Sequence, residues 1–426
     1  MFVALFKNKI VKNAGWLIGG KIMQMGINFV VGILTARYLG PSNYGLISYA
    51  GAYIAFFTSL CTLGINSVLV KELIDNPGKE GEILGTSIGL RILSSMLSAV
   101  TMVAISSVVD HGEPITIAVV ALSSLGAVFH VFEAFNFWFQ ARLQSKVTAL
   151  SALVAYVITA AYKVVLIVTG KSVVFFAFAT SVDYICIAVF LYMAYKKHGG
   201  GRLCFSAAYG KSLLAKSWHF ILPGLMVAIY GQTDKLMLKH LFDNAEIGYY
   251  ATATALCTIW CFVLSAIIDS MYPSIMQAHK DKSPSFETKN KLLYAIVFYV
   301  SCAVSVVFVV LGGWIIKLLY GEAYLPAIAP LRIITWYTAF SYLGVARQAW
   351  VVCKNAQKYL IYIYMASAVV NVLLNLFLIP LWGASGAALA SLMAQISTIM
   401  VPLFIPNMRE NTKLILSAIL LRIYKK

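Results

Sequence analysis

The dominant pattern along the chain is a succession of long apolar runs separated by short polar connections. About 20 apolar residues suffice for an α-helix to cross the roughly 30 Å hydrocarbon core of a bilayer. Twelve runs satisfy this rule, so the sequence predicts an all-α integral membrane protein with twelve transmembrane helices. The predicted spans are residues 14–36, 45–70, 83–109, 115–138, 148–169, 172–195, 218–240, 248–272, 291–316, 328–351, 359–379 and 384–405.

The longest connection, residues 196–217, divides the predicted spans into two sets of six. Its three consecutive glycines are typical of a flexible linker. We therefore expect four parts along the chain. These are an N-terminal six-helix lobe (1–195), a cytoplasmic linker (196–217), a C-terminal six-helix lobe (218–405) and an amphipathic cytoplasmic tail (406–426).

Two similar polar elbows indicate that the lobes are copies of one unit. Residues 35–50, TARYLGPSNYGLISYA, and residues 233–253, TDKLMLKHLFDNAEIGYYATA, each join two apolar runs. The distance between matching positions is 202 residues from Trp16 to Trp218, and loop insertions would lengthen it further along the chain. Because each unit holds an even number of spans, the two copies are expected to share one orientation, as parallel pseudo-repeats.

Composition excludes an ordinary soluble domain, since 61% of the residues are hydrophobic, only 12% are charged and the mean hydropathy is +0.83. The net charge of +17 comes mostly from Lys and Arg in the connections that lie on the same side of the membrane as the N-terminus. This asymmetry predicts that both termini face the cytoplasm, and it explains the charge without a nucleic acid. Residues 1–12 lack a small-residue cleavage site, so we expect no cleaved signal peptide.

Charged side chains within predicted spans are the candidate functional groups, because each costs about 2.5–3.5 kcal/mol at membrane depth. Lys21 and Arg91 lie several residues inside their spans and have no acidic residue within one helical turn. Two such cations predict a site for an anion, for example phosphate. The candidates for this cationic cavity are Lys21, Arg91, Lys235 and Arg347.

The acidic groups within the spans are candidates for binding a proton or a coupling cation. Asp183 lies near the middle of its span, although a hydrogen-bonded structural acid is an equally good interpretation. Arg347, Asp269 and Glu133 lie close enough to helix ends for their side chains to reach the interface instead. The acidic candidates are Asp183, Asp234, Asp269 and Glu133.

The sequence contains no motif of a catalytic site. It lacks a nucleophile elbow, a phosphate-binding P-loop and any His or carboxylate cluster with metal-ligand spacing. The seven cysteines lie mostly within apolar runs and show neither a disulfide framework nor a metal spacing. We therefore expect no enzyme activity, no cofactor and no metal.

Several stretches resemble the Wzx-type polysaccharide flippases of the MATE-like, MOP exporter superfamily. They are ARYLGPSNYG at residues 36–45, DKLML at 234–238, IGYYA at 247–251, NVLLNLFLIP at 371–380 and WGASGAA at 382–388. The first and last are fairly specific in combination, and the similarity extends over nearly the whole chain.

The resemblance implies a MATE-like fold with two lobes around a cavity that opens alternately to each side. It implies an undecaprenyl-diphosphate-linked oligosaccharide as substrate, moved across a bacterial cytoplasmic membrane for O-antigen, capsule or similar polysaccharide. The membrane lipid and the polymerase and chain-length proteins of that pathway would be its partners. Coupling to a proton or sodium gradient, through Asp183 or Asp269, follows by analogy.

Three alternatives stay open at this point. A drug or cation antiporter of the same architecture would more naturally have an acidic cavity, in contrast to Lys21 and Arg91. A membrane polymerase or ligase of the pathway would be expected to carry a large external loop, and no predicted outer loop is long enough. A non-transporting scaffold would require the inner charges to pair fully with one another.

Overall fold

The structure is a computed structural model that describes residues 9–421, so predictions for residues 1–8 and 422–426 lie outside it. Within this range the elements are α-helices and short 3₁₀-helices, which confirms the all-α class. The 3₁₀-helices are His130–Glu133, Trp218–Phe220, Ile259–Cys261, Glu322–Ala327, Gln357–Tyr359, Val401–Phe404 and Pro406–Met408. The α-helices are α1 (Lys9–Thr62), α2 (Asn66–Asp75), α3 (Glu80–Val109), α4 (Pro114–Phe129), α5 (Ala134–Ala141), α6 (Ser145–Val168), α7 (Val173–Lys197), α8 (Ala207–Ser217), α9 (Ile221–Leu241), α10 (Asn244–Thr258), α11 (Phe262–Lys280), α12 (Ser285–Tyr320), α13 (Ile328–Ile334), α14 (Tyr337–Ala346), α15 (Gln348–Cys353), α16 (Leu360–Met400) and α17 (Arg409–Ile419).

Nine helical segments among residues 9–421 are long and apolar enough to cross a membrane. Two of them each cover most of two predicted spans. They are Ile18–Asp75, with 58 residues, and Gln357–Phe404, with 48. The predicted span 328–351 has no single long counterpart, since the chain there forms α13, α14 and α15. The chain is thus a multi-pass membrane protein, and the count of twelve stays a prediction.

Two glycines mark sharp kinks inside the longest helices. Gly40 in α1 has φ 72° and ψ 172°, and it is followed by Pro41. Gly383 in α16 has φ 52° and ψ −129°. Residues with side chains rarely adopt this positive φ, so glycine is the residue that permits each turn. The predicted elbow at residues 35–50 contains the first kink.

The chain divides into two units of closely packed helices. The described part of unit 1 comprises residues 9–39 and Leu46–Leu225, and that of unit 2 comprises Gly40–Gly45 and residues 226–421. The segment Gly40–Gly45 belongs to unit 2 because it packs closely on the start of α10. A Cβ atom on Gly45 would lie 1.8 Å from the Asn244 carbonyl oxygen, and one on Gly248 would lie 2.1 Å from that of Pro41.

The predicted linker lies within unit 1, and it is held against α3 rather than free. Cys204 donates its N–H to the Gly81 carbonyl oxygen at 3.1 Å, and the Ser206 N–H bonds the Thr86 hydroxyl at 3.0 Å. A Cβ atom on Gly85 would lie 2.4 Å from the Cys204 carbonyl oxygen. Glycines one turn apart on α3 therefore let the linker backbone approach the helix closely.

The tail helix α17 contributes to the core of unit 2. It packs along α12 and buries Leu414, Ile415 and Ala418. The Asn411 side-chain amide donates to the Tyr294 hydroxyl at 2.7 Å. The amphipathic pattern of the predicted tail is therefore satisfied, over Arg409–Ile419, by packing on the protein's own helix.

Positions with positive φ recur at matching places in the two halves of the chain. Four pairs recur in the same order in both halves, and the separation within a pair grows from 204 to 213 residues along the chain. This growth is what loop insertions between duplicated units would produce, and it supports the predicted repeat. The pairs are Gly78 with Lys282, Gly112 with Gly321, Leu143 with Asn355, and Gly170 with Gly383.

Candidate functional site

The most unusual buried group of unit 1 is the Arg91 guanidinium on α3. Arg91 is fully buried, and its three guanidinium nitrogens make no hydrogen bond to any described residue. Glu133 is the acidic group that acts on it electrostatically. Because an isolated charge is costly away from water, this arrangement favours additional negative charge near Arg91.

Two half-buried acids lie on the elements around Arg91. Glu133 ends the 3₁₀ turn between α4 and α5, and its carboxylate is 3.2 Å from the Nε2 atom of His130. On α7, Asp183 accepts a hydrogen bond of 3.1 Å from the Thr159 hydroxyl of α6. The two carboxylates therefore have different partners, an imidazole and a hydroxyl.

Electrostatic interactions connect these groups into one cluster of unit 1. The Glu133 carboxylate interacts electrostatically with Arg91 and with Asp183. Asp183 also interacts with Lys163, which lies one turn after Thr159 on α6. The structure thus brings together three of the predicted site residues, Arg91, Glu133 and Asp183. A cluster of two cations and two acids can bind or release a proton at a carboxylate. It can also bind an anion at Arg91.

The candidate site of unit 2 surrounds the Asp234 carboxylate of α9, which is 1% exposed. One carboxylate oxygen accepts hydrogen bonds from the side-chain amides of Asn371 at 3.0 Å and Asn375 at 2.5 Å. The other accepts hydrogen bonds from the hydroxyls of Tyr250, at 2.6 Å, and Ser391. Four donors on two further helices therefore surround this carboxylate.

The kink of α16 at Gly383 makes this arrangement possible. Asn371 and Asn375 lie one turn apart before the kink, and Ser391 lies after it. The amide oxygen of Asn375 is buried and makes no hydrogen bond to the described residues. Among those residues no group of three His, Cys, Asp or Glu could hold a metal ion. The site therefore presents one carboxylate whose charged form is stabilised by amide and hydroxyl donors, and one buried amide oxygen, that of Asn375, without a partner among those residues.

Of the other predicted site residues, Lys235 adjoins Asp234 and interacts with it electrostatically, whereas Lys21, Arg347 and Asp269 have no described interaction with either cluster. Lys235 is half-buried and donates to the Gln232 side chain at 3.2 Å. Arg347 is fully buried, and one of its nitrogens donates to the Thr398 carbonyl oxygen at 2.8 Å. Lys21 and Asp269 are exposed. No described ion pair joins any of these four side chains to another group.

The residues that sequence reasoning missed are the neutral partners of Asp234. Asn371 and Asn375 are visible in the sequence as two amides one turn apart in an otherwise apolar run, a pattern that indicates a shared polar contact. Tyr250 and Ser391 carry no comparable signal, because single hydroxyls are common in transmembrane helices.

Comparison with known proteins places the chain in a family. The family described as "Polysaccharide biosynthesis protein" matches residues 10–279, which is more than half of the chain. No curated protein matches the chain.

Solved structures of the MOP superfamily share the fold. An inward-facing multidrug resistance MATE family transporter has a TM-score of 0.69 at 15% identity, over 92% of this chain and 95% of that one. The lipid II flippase MurJ, in an inward closed conformation, has a TM-score of 0.70 at 13% identity, over 95% and 91%. A MOP superfamily transporter from Pyrococcus furiosus, described by the reverse polarity of its binding pocket, has a TM-score of 0.66 at 12% identity, over 96% and 97%.

At these identities the structural likeness establishes the fold, while the family match establishes kinship by sequence. Both findings agree with the resemblance that the elbow and the α16 stretches indicated. The chain therefore belongs to the polysaccharide biosynthesis protein family and has the fold of the MATE and MurJ transporters.

Proposed function

We propose that the protein is a flippase for undecaprenyl-diphosphate-linked oligosaccharide units. It would move them from the cytoplasmic to the outer leaflet of a bacterial inner membrane by alternating access, for polysaccharide of the O-antigen, capsule or lipopolysaccharide type. The observation that carries this proposal is Arg91, a fully buried guanidinium without a hydrogen-bond partner among the described residues. A diphosphate offers the bidentate anionic oxygens that a guanidinium binds best.

The proposed membrane topology has twelve crossings and cytoplasmic termini. It follows if Ile18–Asp75 and Gln357–Phe404 each cross twice and if residues 328–351 cross as a broken helix. The four pairs of positive-φ positions support two parallel six-span lobes, 1–195 and 218–405. The excess of Lys and Arg on one side supports the orientation.

The proposed role of the acidic groups is coupling to an ion gradient. Asp183 is the first candidate, because it has only one described hydrogen-bond donor and interacts with both Lys163 and Glu133. Asp234 is the second, because its carboxylate lies among the neutral side chains of Asn371, Asn375 and Ser391. The co-transported proton or cation would bind one of these carboxylates in one conformation and leave it in the other.

Substrate binding by the remaining cations is part of the same proposal. Lys21 is exposed on α1 and can contact a diphosphate directly, whereas Arg347 and Lys235 already have a hydrogen-bond acceptor each. We therefore rank Lys21 and Arg91 above Lys235 and Arg347 as substrate-binding residues.

An ion-coupled drug or cation antiporter is the second candidate function, and the Asp234 cluster favours it. The Asp234 carboxylate is a buried negative charge, and such a charge serves cation exchange without any anionic substrate. The two functions differ in what Arg91 is expected to do, because a cationic drug would gain nothing from a buried guanidinium.

The deciding experiment reconstitutes the full chain into proteoliposomes that contain a fluorescent undecaprenyl-diphosphate oligosaccharide. We expect quenching by a membrane-impermeant reagent to show flipping that Arg91→Leu reduces about tenfold or more. The matched control is Arg332→Leu, which removes an exposed cation from α13. Flipping that stays at the wild-type rate in Arg91→Leu, or drug exchange without any lipid flipping, would overturn the proposal.

A further inference from the structure

A second basic site lies in unit 1, away from Arg91, where the ends of α5, α6 and α7 meet. It is a pocket of about 350 Å³. Its lining includes Asn13, Trp16, Arg142, Lys146 and His198, and it includes no acidic residue. None of these side chains belongs to the clusters around Arg91 and Asp234.

The three basic groups of the pocket differ in how far they are already engaged. Arg142 is 2.6 Å from the Glu80 carboxylate and stacks on Trp138, so it is fixed in place. Lys146 lies 5.3 Å from the centre of the Trp16 ring and makes no described ion pair. The Nδ1 atom of His198 is 2.9 Å from the Ala194 carbonyl oxygen and donates to it, so Nε2 of the neutral ring is an acceptor. Lys146 is thus the available cation.

Hydrogen-bond donors accompany this charge. Helix α6, which is 24 residues long, begins at Ser145, and its first turn lines the pocket through Lys146 and Val147. The start of a helix attracts anions because its dipole is positive there, and at this one the Ser145 and Val147 N–H groups already donate to Asn13 and Gln144. Asn13 is 9% exposed and uses its amide oxygen to accept the Ser145 N–H at 2.7 Å. Its amide nitrogen makes no hydrogen bond to the described residues and is a further donor.

The corresponding region of unit 2 shows what a balanced pocket looks like. Lys354 lies 212 residues after Arg142, and each is followed directly by a residue with positive φ. The pocket beside Lys354, about 280 Å³, is lined by Glu287 and Glu410 as well as by basic groups. Lys354 lies 3.4 Å from the Glu410 carboxylate. Of these two pockets, only the one in unit 1 therefore has an excess of positive charge.

We infer that the unit 1 pocket binds the phosphate group of a membrane lipid. Its cations and amide match a phosphate, and the indole of Trp16 is the side chain typical of the boundary between headgroups and hydrocarbon. The pocket lies at the ends of helices that are predicted to be cytoplasmic, where anionic lipids attract basic residues. The inference needs only a membrane and does not depend on the proposed flippase activity.

The test measures the apparent Kd of the detergent-solubilised full chain for short-chain phosphatidylglycerol, from thermal unfolding, with phosphatidylcholine as the neutral comparison. We expect phosphatidylglycerol to stabilise the wild type more than phosphatidylcholine does. Lys146→Gln should raise the Kd for phosphatidylglycerol about fivefold. Lys146→Arg, which keeps the charge, and Lys354→Gln, which lies outside the pocket, should both keep the wild-type Kd. Equal stabilisation by both lipids, or a wild-type Kd in Lys146→Gln, would overturn the inference.

A competition arm identifies the source of the phosphate. If undecaprenyl diphosphate displaces phosphatidylglycerol from the wild type but not from Lys146→Gln, the pocket receives the lipid carrier. If it does not displace it, the pocket is a phospholipid site. Both outcomes require binding that depends on Lys146, and the assay involves no flipping, so failure here is separate from failure of the proposed function.

Discussion

In unit 1 the Asp183 carboxylate accepts a single described hydrogen bond, from Thr159, whereas in unit 2 the Asp234 carboxylate accepts four. The arginines differ less. Arg91 of unit 1 has no hydrogen-bond partner among the described residues, whereas Arg347 of unit 2 donates from one nitrogen to Thr398 and has two buried nitrogens without a partner. Around its acid, unit 1 therefore balances charge with charge, and unit 2 satisfies charge with neutral dipoles.

This difference teaches which cluster can change state easily. The pKa of an ionised side chain that is stabilised by neighbouring charges changes when one of those neighbours gains or loses a proton or an anion. A carboxylate held by four neutral donors is stable as long as the donors stay in place. It changes only when the helices that carry them move.

The largest expected effect is the loss of stability on removing Asp234. Asp234→Leu would leave the Asn371, Asn375, Tyr250 and Ser391 donors buried without their acceptor, which we expect to cost about 3 kcal/mol or more. Asp183→Leu should cost about 1 kcal/mol, because a single donor loses its partner. Thermal unfolding in detergent measures both values. Equal losses at the two positions would remove the contrast between the units.

The second prediction concerns the arginines and reverses the sign of the effect. Arg91→Leu removes a buried charge without a hydrogen bond, so stability should be unchanged or should rise by about 1 kcal/mol. Arg347→Leu removes the hydrogen bond to the Thr398 carbonyl oxygen and should lower stability by about 1 kcal/mol. Thermal unfolding of both variants beside the wild type provides the measurement. A loss in Arg91→Leu as large as in Arg347→Leu would show that Arg91 stabilises its unit.

The positions of many helices could be predicted, because a long apolar run is enough to identify a membrane-spanning helix. The spans 83–109 and 148–169 correspond closely to α3 and α6. The two breaks within residues 328–351 could not be predicted, since the residues at them, Thr335, Trp336 and Arg347, are neither glycine nor proline. The carbonyl freed at Thr335 is satisfied by tertiary contact instead, because Ser305 donates to its oxygen at 2.9 Å.

The candidate sites were predictable only in part for a related reason. Arg91, Asp183 and Asp234 are conspicuous in sequence because a charge is rare at membrane depth. Their partners are ordinary residues brought together over long separations, such as Ser391, which is 157 positions from Asp234. The contact between the linker and α3 could not be foreseen. It depends on Gly81 and Gly85 of α3, which leave room for the linker backbone, and not on the three glycines at 199–201.

The smallest predicted effect tests the single hydrogen bond of Asp183 directly. Thr159→Val keeps the shape of the side chain and removes the hydroxyl, so stability should fall by about 0.6 kcal/mol, the usual value for such a bond between transmembrane helices. The double-mutant cycle of Thr159→Val with Asp183→Leu should return a coupling energy of similar size. Ser391→Ala is the matched change in unit 2, where three donors to Asp234 would remain. Because Thr159 is the single described hydrogen-bond donor to Asp183, the rate of flipping driven by a cation gradient should fall more in Thr159→Val than in Ser391→Ala. The opposite order would assign the coupling to the Asp234 cluster and leave Asp183 a structural acid.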